Sequence, residues 1–318
     1  MTHIVVVGPG GIGGTVAALL ARTDQCKITL LGRPGAHAEA IASSGLKFTG
    51  AGEFTVDVEI VDDPAAISTC DGLIYAVKAQ NTAPVLEATA HIEAQCFVAS
   101  LQNGVEKDDA LATTFGRERV VGSVAIVAGE RPEPGVVHLT FDGLTRFGEL
   151  DGSSSQRVDH LVALFTAAGL NTESTDQITA STWSKMLGWI PIGLFATLGR
   201  RTNAEIMSNR VIARSYVDIV RELATLARNS NVEPLDLGPF HIASWVEGTV
   251  DDAIDKVLVS PLATSGSRHS AFSDIAAGRP TELCAILEPM LADADERGLE
   301  LPATRAMHAA LMALEATL

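Results

Sequence analysis

Three glycines near the start of the chain carry the clearest chemical signal. Gly8, Gly10 and Gly13 stand in G-x-G-x-x-G spacing. Gly8 permits a tight strand-to-helix turn, Gly10 presents no side chain to a pyrophosphate, and Gly13 lets the helix pack close to the strand. The helix N-terminus adds unpaired N–H groups and a positive dipole end for phosphates. Gly11 and Ile12, inside the same run, belong to the expected cofactor site. Past the next strand stands Gly32-Arg33-Pro34. A carboxylate there would bind a ribose 2′-hydroxyl and repel a 2′-phosphate. None is present, and Arg33 offers a planar donor fork instead, so NADP(H) is the expected cofactor. Lys78 falls just past another strand and would bring a second positive charge to the cofactor. Asn103, at the end of a central strand in Leu101-Gln102-Asn103-Gly104, could hold the cofactor ribose or a substrate oxygen.

These positions require particular elements behind them. Residues 4–7 are a β-branched run suited to a buried strand, and 15–20 read as the helix after the glycine turn. Residues 27–31, 71–77 and 96–100 are further core strands. Residues 46–60 alternate as a short β excursion. Several short β patterns from 119 to 149 would extend the sheet beyond its parallel core. A helix over 153–168 and an edge strand over 169–173 complete this half. From about residue 175 strand signals give way to helical periodicity, with Trp183, Leu187, Ile190, Leu194 and Leu198 on one stripe. Pro191 within it should kink the helix. Further helices are expected over 211–229, 253–259, 282–297 and 303–316. The reading is an α/β chain with an N-terminal Rossmann dinucleotide-binding domain, residues 1–175, and an all-helical C-terminal domain, residues 176–318. No flexible linker separates them, which implies close contact and a cleft.

Bulk properties narrow the partners. The 318 residues are 47% apolar, enough for a well-buried core, and carry a net charge of −16. That charge argues against nucleic acid or an anionic membrane as partner. Cys26, Cys70, Cys96 and Cys284 are scattered, suggesting neither zinc nor a disulfide framework, and read as reduced core residues. The longest apolar run, 187–198, is too short to span a membrane. With no basic leader at the N-terminus, the expected compartment is the cytoplasm.

The chain resembles the ketopantoate reductase (2-dehydropantoate 2-reductase) family. The resemblance rests on Gly8-Pro9-Gly10-Gly11-Ile12-Gly13, Gly32-Arg33, Val77-Lys78-Ala79-Gln80, Leu101-Gln102-Asn103-Gly104-Val105, Trp183-Ser184-Lys185, and the segment from Ser270 through Asp274 to Gly278-Arg279-Pro280-Thr281-Glu282. The motifs run in the family's order across nearly the whole chain. The resemblance implies hydride transfer between NADP(H) and a small carbonyl or hydroxy compound, with Lys185 as proton donor to the developing alkoxide. It implies that Glu282 is the carboxylate near lysine and substrate, and that Ser270 and Asn103 help to bind substrate. Glu282 also reads as a helix-start glutamate that favours the dipole, and Ser270 as an ordinary helix cap. The family commonly carries asparagines four and eight residues after the lysine, on one helix face. Here those positions are Trp189 and Gly193. An indole offers one N–H and much apolar area, so Trp189 beside Lys185 suits a bulkier, flatter or more apolar carbonyl compound than ketopantoate, unless the ring turns into the core. Genuine ketopantoate reduction and a non-catalytic NADP-binding sensor are the alternatives. The sequence leaves a homodimer open.

Overall fold

The computed structural model describes Thr2–Leu318, which compact into two units, divided between Ile178 and Thr179. The first contains β1 (Thr2–Val7), α1 (Gly11–Ala21), β2 (Cys26–Leu31), α2 (Ala36–Ser44), β3 (Leu46–Thr49), β4 (Phe54–Val56), β5 (Glu59–Val61) and β6 (Thr69–Tyr75). It continues with α3 (Thr82–Thr89), β7 (Glu93–Ser100), α4 (Lys107–Phe115), β8 (Val121–Glu130), β9 (Val136–Glu149), α5 (Gln156–Ala167) and β10 (Thr172–Ser174).

Five strands form a parallel sheet in the order β5-β2-β1-β6-β7. Its central strand is buried on both faces, hence the β-branched run without alternation. Ile4 and Val6 enter one core with α1, α5 and the second sheet. Val5 and Val7 enter another with Leu73, Tyr75, Val98 and Leu111. The chain passes from β1 to β2 on one side and returns to β6 on the other, so the switch point lies between β1 and β6. Open α/β sheets bind ligands outside the carboxyl ends of strands at such a point.

The short patterns of 119–149 do not extend this sheet through a ladder. They merge into two long antiparallel strands, β8 and β9, bent by two register shifts. A single bridge, Val98 to Val120, touches the parallel sheet. β8 takes one edge of β9, while β3 and β10 share the other, at Val136–His138 and Thr145–Phe147. This second sheet lies against α1, and the glycines of that helix show how. A Cβ on Gly13 would sit 2.2 Å from the Gly8 carbonyl oxygen and 2.8 Å from Ala76 Cβ, on the parallel-sheet side. A Cβ on Gly11 would sit 2.0 Å from the Gly129 carbonyl oxygen, and one on Gly14 2.6 Å from Val137 Cγ1, on the second-sheet side. The helix begins at Gly11, four residues before the expected start, because glycine was needed there for packing.

All four cysteines are free, and Cys96 is exposed where a core residue was expected. The β6–β7 register shifts between Cys70 and Gly72, whose partners are Ala94 and Phe97. The extra β7 residue turns Cys96 outward, as bulges do.

The second unit contains α6 (Ile178–Gly199), α7 (Asn203–Met207), α8 (Arg210–Asn229), β11 (Asp236–Leu237), β12 (Phe240–His241), α9 (Ile242–Val246), α10 (Val250–Leu258), α11 (Ser270–Ala276), α12 (Leu283–Glu296) and α13 (Pro302–Glu315). One two-residue antiparallel ladder, β11 with β12, interrupts the helical pattern. Helix starts are set by side chains: Thr202 with Glu205 and Thr249 with Asp252 form capping boxes, and Asn209 accepts from two N–H groups of α8. The start of α13 is capped from α8, where the Glu222 carboxylate accepts from Ala303 N, Thr304 N and Thr304 Oγ1 at 2.7–2.8 Å. α6 runs on through Pro191 to Gly199. Two glycines notch it: Phe240 fills the room a Gly188 side chain would take, and His269 and Leu283 fill that at Gly193. Among the described residues no helix is long and apolar enough to cross a membrane, and no cluster of three or more His, Cys, Asp or Glu could hold a metal ion.

Candidate active site

In the first unit, the expected cofactor residues all fall at carboxyl ends of neighbouring strands. Arg33 follows β2, the glycine turn follows β1, Lys78 follows β6 and Asn103 follows β7. In sheet order they run Arg33, glycine turn, Lys78, Asn103 along an edge three strand spacings wide, about 14 Å.

Gly8 adopts φ +98°, which only glycine accepts readily, and its N–H donates to the Leu31 carbonyl at 2.9 Å. Gly10 is the N-cap of α1, and a Cβ built on it meets nothing within 4 Å. No side chain caps the helix and no acid stands in its first turn, so its leading N–H groups are left for an anion. Gly11, by contrast, packs against Gly129. Its contribution to a cofactor is confined to its main chain. Gly32 has no room for a side chain beside Pro9, which seats the glycine turn against the start of the Arg33 loop. Arg33 is exposed, and no carboxylate follows β2. These features fit a phosphorylated dinucleotide.

His37 is a support that sequence reading did not single out. Its Nδ1 accepts from Gly135 N at 3.0 Å, which puts the proton of the neutral ring on Nε2, donating to the Pro9 carbonyl at 2.8 Å. It ties the glycine turn to the β8–β9 connection. Burial, then the charge of Arg131, pushes its pKa down. The Asn103 loop is held by Gln102, which accepts from Ser100 Oγ at 2.9 Å and donates to Thr82 Oγ1 at 2.7 Å.

In the second unit, Lys185, Trp189 and Gly193 stand one and two turns apart on one face of α6. Lys185 is buried at 5% exposure, and its neighbour Ser184 anchors the helix by accepting from Leu235 N at 2.8 Å. Trp189 is half-buried, its ring 4.2 Å from that of His269 at 51°. The indole is therefore neither fully exposed nor lost in the core.

Ser270 is the first residue of α11 and exposed. It is not the cap: His269 is, accepting from Ala271 N at 3.1 Å. Asp274, buried in α11, accepts from Arg279 Nη2 at 3.2 Å, closing the turn toward Thr281. Glu282 is the half-buried N-cap residue of α12 and makes no side-chain cap. Thr281 beside it donates from N and Oγ1 to Glu315 at 2.8 and 2.7 Å, fixing that helix start. His269 and Leu283 both press on Gly193, so the start of α11, the start of α12 and the Lys185 face of α6 converge. Gly193 stands two turns beyond Lys185 on α6, and Lys185 is near enough to His269 for its charge to act on that ring. The residue missed here is His269, whose only signal in the sequence is its place next to Ser270.

Two family profiles match this chain. The one described as Ketopantoate reductase PanE/ApbA matches residues 4–152, and its C-terminal counterpart matches residues 177–315. With the site geometry, these matches define a nicotinamide-dinucleotide-dependent oxidoreductase acting on CH–OH and C=O groups. The chain belongs to the ketopantoate reductase family. It is 26% identical over 300 residues to a 2-dehydropantoate 2-reductase of Pyrococcus horikoshii, covering 94% of this chain and 93% of the relative. The solved 2-dehydropantoate 2-reductase of Geobacter metallireducens superposes with a TM-score of 0.84 at 28% identity, over 98% of this chain and 99% of that one. A D-mandelate dehydrogenase solved with NADH and anilino(oxo)acetate shares the fold, with a TM-score of 0.84 at 19% identity over 99% of each chain.

Proposed function

We propose that the protein is an NADPH-dependent reductase, or the dehydrogenase of the reverse direction, for a carbonyl compound bulkier, flatter or more apolar than ketopantoate. The observation that carries this reading is Trp189, half-buried and packed against His269 one turn from Lys185, where the family commonly places an asparagine. Residues 1–175 serve the cofactor and 176–318 the substrate. Gly8, Gly10 and Gly13, with the main chain of Gly11 and Ile12, hold the pyrophosphate at the start of α1. Arg33 and Lys78 start two strand spacings apart, about 10 Å, and reach toward one 2′-phosphate from either side of β1.

Bound there, the dinucleotide supplies a hydride to the carbonyl carbon. The C=O electron pair moves to oxygen, and the Lys185 ammonium gives that oxygen a proton. A buried ammonium is suited to this step because low local polarity strengthens its pull on developing negative charge. Glu282 orients the polar end of the substrate, Ser270 adds a hydroxyl at the start of α11, and Asn103, in the first unit, holds the cofactor ribose or a substrate oxygen.

The test is NADPH oxidation with a panel of aryl and aliphatic 2-oxo acids, in wild type and in Lys185→Ala. Turnover in the variant should fall by about 10²–10⁴-fold, the usual worth of a proton-transfer group, with NADPH affinity kept. Near-normal turnover in Lys185→Ala would remove the lysine from the mechanism. Ketopantoate as the best substrate at low concentration would overturn the reading of Trp189 and favour the activity for which the Pyrococcus relative is named. NADPH binding without turnover of any carbonyl compound would favour a sensor.

A further inference from the structure

His269 does more at this site than start a helix. Because Nδ1 accepts from Ala271 N, the neutral ring carries its proton on Nε2. That nitrogen is buried, and its one polar neighbour is the Trp189 main chain, outside ideal hydrogen-bond geometry. As a helix cap alone, an asparagine would serve as well. What an asparagine would not supply is the ring. The ring packs against Trp189 in a tilted pair, centroids 4.2 Å apart. It reaches that place only because position 193 is glycine: a Cβ there would stand 2.7 Å from its Cε1 and 3.1 Å from Nε2. Burial, then the charge of Lys185, pushes its pKa down to about 3, with the Trp189 main chain opposing in part. At neutral pH it is an uncharged, buried aromatic ring.

We propose that His269 is a specificity-determining residue that backs Trp189 from the buried side, fixing the indole on the Lys185 face of α6 so that its open face receives a planar, apolar substituent of the carbonyl substrate. The proposal rests on the reading of Trp189 given above and deepens it. A single indole could rotate away from a small substrate, whereas a ring packed against a buried imidazole presents one fixed face. Planar groups gain from such a face by offset or edge-on stacking. The same imidazole blocks an amide side chain at position 193, which would meet both His269 and Leu283. Trp189, Gly193 and His269 thus act as one unit that exchanges a polar lining for a flat apolar one.

Two substitutions separate the ring from the cap. His269→Asn keeps a good N-cap and deletes the ring, while His269→Phe keeps a ring and deletes the cap. Each is assayed with NADPH against phenylglyoxylate, an aryl 2-oxo acid, and ketopantoate, a branched aliphatic one. His269→Asn should lower kcat/KM for phenylglyoxylate about tenfold, mainly through KM, and leave that for ketopantoate within about twofold, as expected for loss of one stacking contact. His269→Phe should hold the wild-type ratio between the two acids. A histidine acting only as a helix cap gives the reverse, with His269→Asn normal and His269→Phe impaired equally on both, and overturns the proposal. A wild-type preference for the aryl acid that survives in His269→Asn overturns the proposal alone. A wild-type preference for ketopantoate, or turnover of neither acid, overturns the reading of Trp189 and the proposal with it.

Discussion

Gly10 and Gly11 are neighbours with opposite expected responses to one methyl group. At Gly10 a Cβ meets nothing within 4 Å, and φ −82°, ψ −162° is backbone that alanine accepts. Gly10→Ala should therefore change stability by no more than about 1 kcal/mol, the difference between glycine and alanine at an N-cap. Its methyl would project where a pyrophosphate must approach the α1 N–H groups. Loss of one charge-assisted hydrogen bond corresponds to about 10–100-fold weaker NADPH binding. At Gly11 the methyl would stand 2.0 Å from the Gly129 carbonyl oxygen and 2.5 Å from its carbon. Alanine gains about 1 kcal/mol of helix propensity there. Overpacking costs about 1–3 kcal/mol or more, and main chain on both sides puts this contact at the upper end. Gly11→Ala should then lose about 2 kcal/mol net or more. Thermal unfolding of the ligand-free variants, with NADPH titration by fluorescence, reads both quantities. A Gly10→Ala protein that folds normally and binds NADPH like wild type would remove the pyrophosphate from this turn. A Gly11→Ala protein with unchanged melting temperature would show that α1 and β8 do not meet as described.

Arg33→Ala should weaken NADPH binding by about 10–100-fold, the worth of charge-assisted bonds to a phosphate, and leave NADH binding unchanged; parallel titrations with the two cofactors decide it. Arg157 holds the buried Glu149 carboxylate through Nε at 2.7 Å and Nη2 at 2.5 Å, keeping that carboxyl below the usual range. Arg157→Ala leaves the carboxylate without its cation and should lower stability by about 3–5 kcal/mol; Arg157→Ala with Glu149→Gln should recover part of the melting temperature. His269 sets an acid limit. Its folded pKa is about 3 against 6.5 when unfolded, so between those values the unfolded chain binds a proton that the folded chain does not. Stability should fall as pH drops below 6.5, by up to about 1.4 kcal/mol per unit from this one group. His269→Asn should show a shallower decline in a pH series of urea melts, and an unchanged slope would refute the assignment.

What could be read in advance was local. The strands of the parallel sheet announced themselves because burial on both faces demands unbroken apolar runs, as at Ile4–Val7 and Leu73–Tyr75. Arg33, Lys78 and Asn103 could be placed at strand ends because a strand end is itself a sequence signal. The second sheet could not be assembled, since β3 meets β9 across most of the domain and register between distant strands leaves no local mark. The start of α1 was hidden for a related reason. Glycine argues against helix by propensity, yet Gly11, Gly13 and Gly14 are helical because two sheets press on them. His269 stayed hidden because its role depends on what position 193 lacks. Neither residue signals anything until the fold brings α6 and the start of α11 together.

The alternating duties within α1 set a limit on transplanting its glycine turn. Gly8 and Gly13 serve the turn and the first sheet and Gly10 keeps the start of α1 open, while Gly11 and Gly14 answer to β8 and β9. Moved into a host that lacks the second sheet, the segment would carry two idle glycines, each weakening the helix by about 0.8–1 kcal/mol against alanine. A conventional turn with bulkier residues at those two positions, moved the other way, would wedge α1 away from the second sheet. The glycine turn of this enzyme is therefore matched to its own scaffold and cannot be exchanged as an interchangeable cassette.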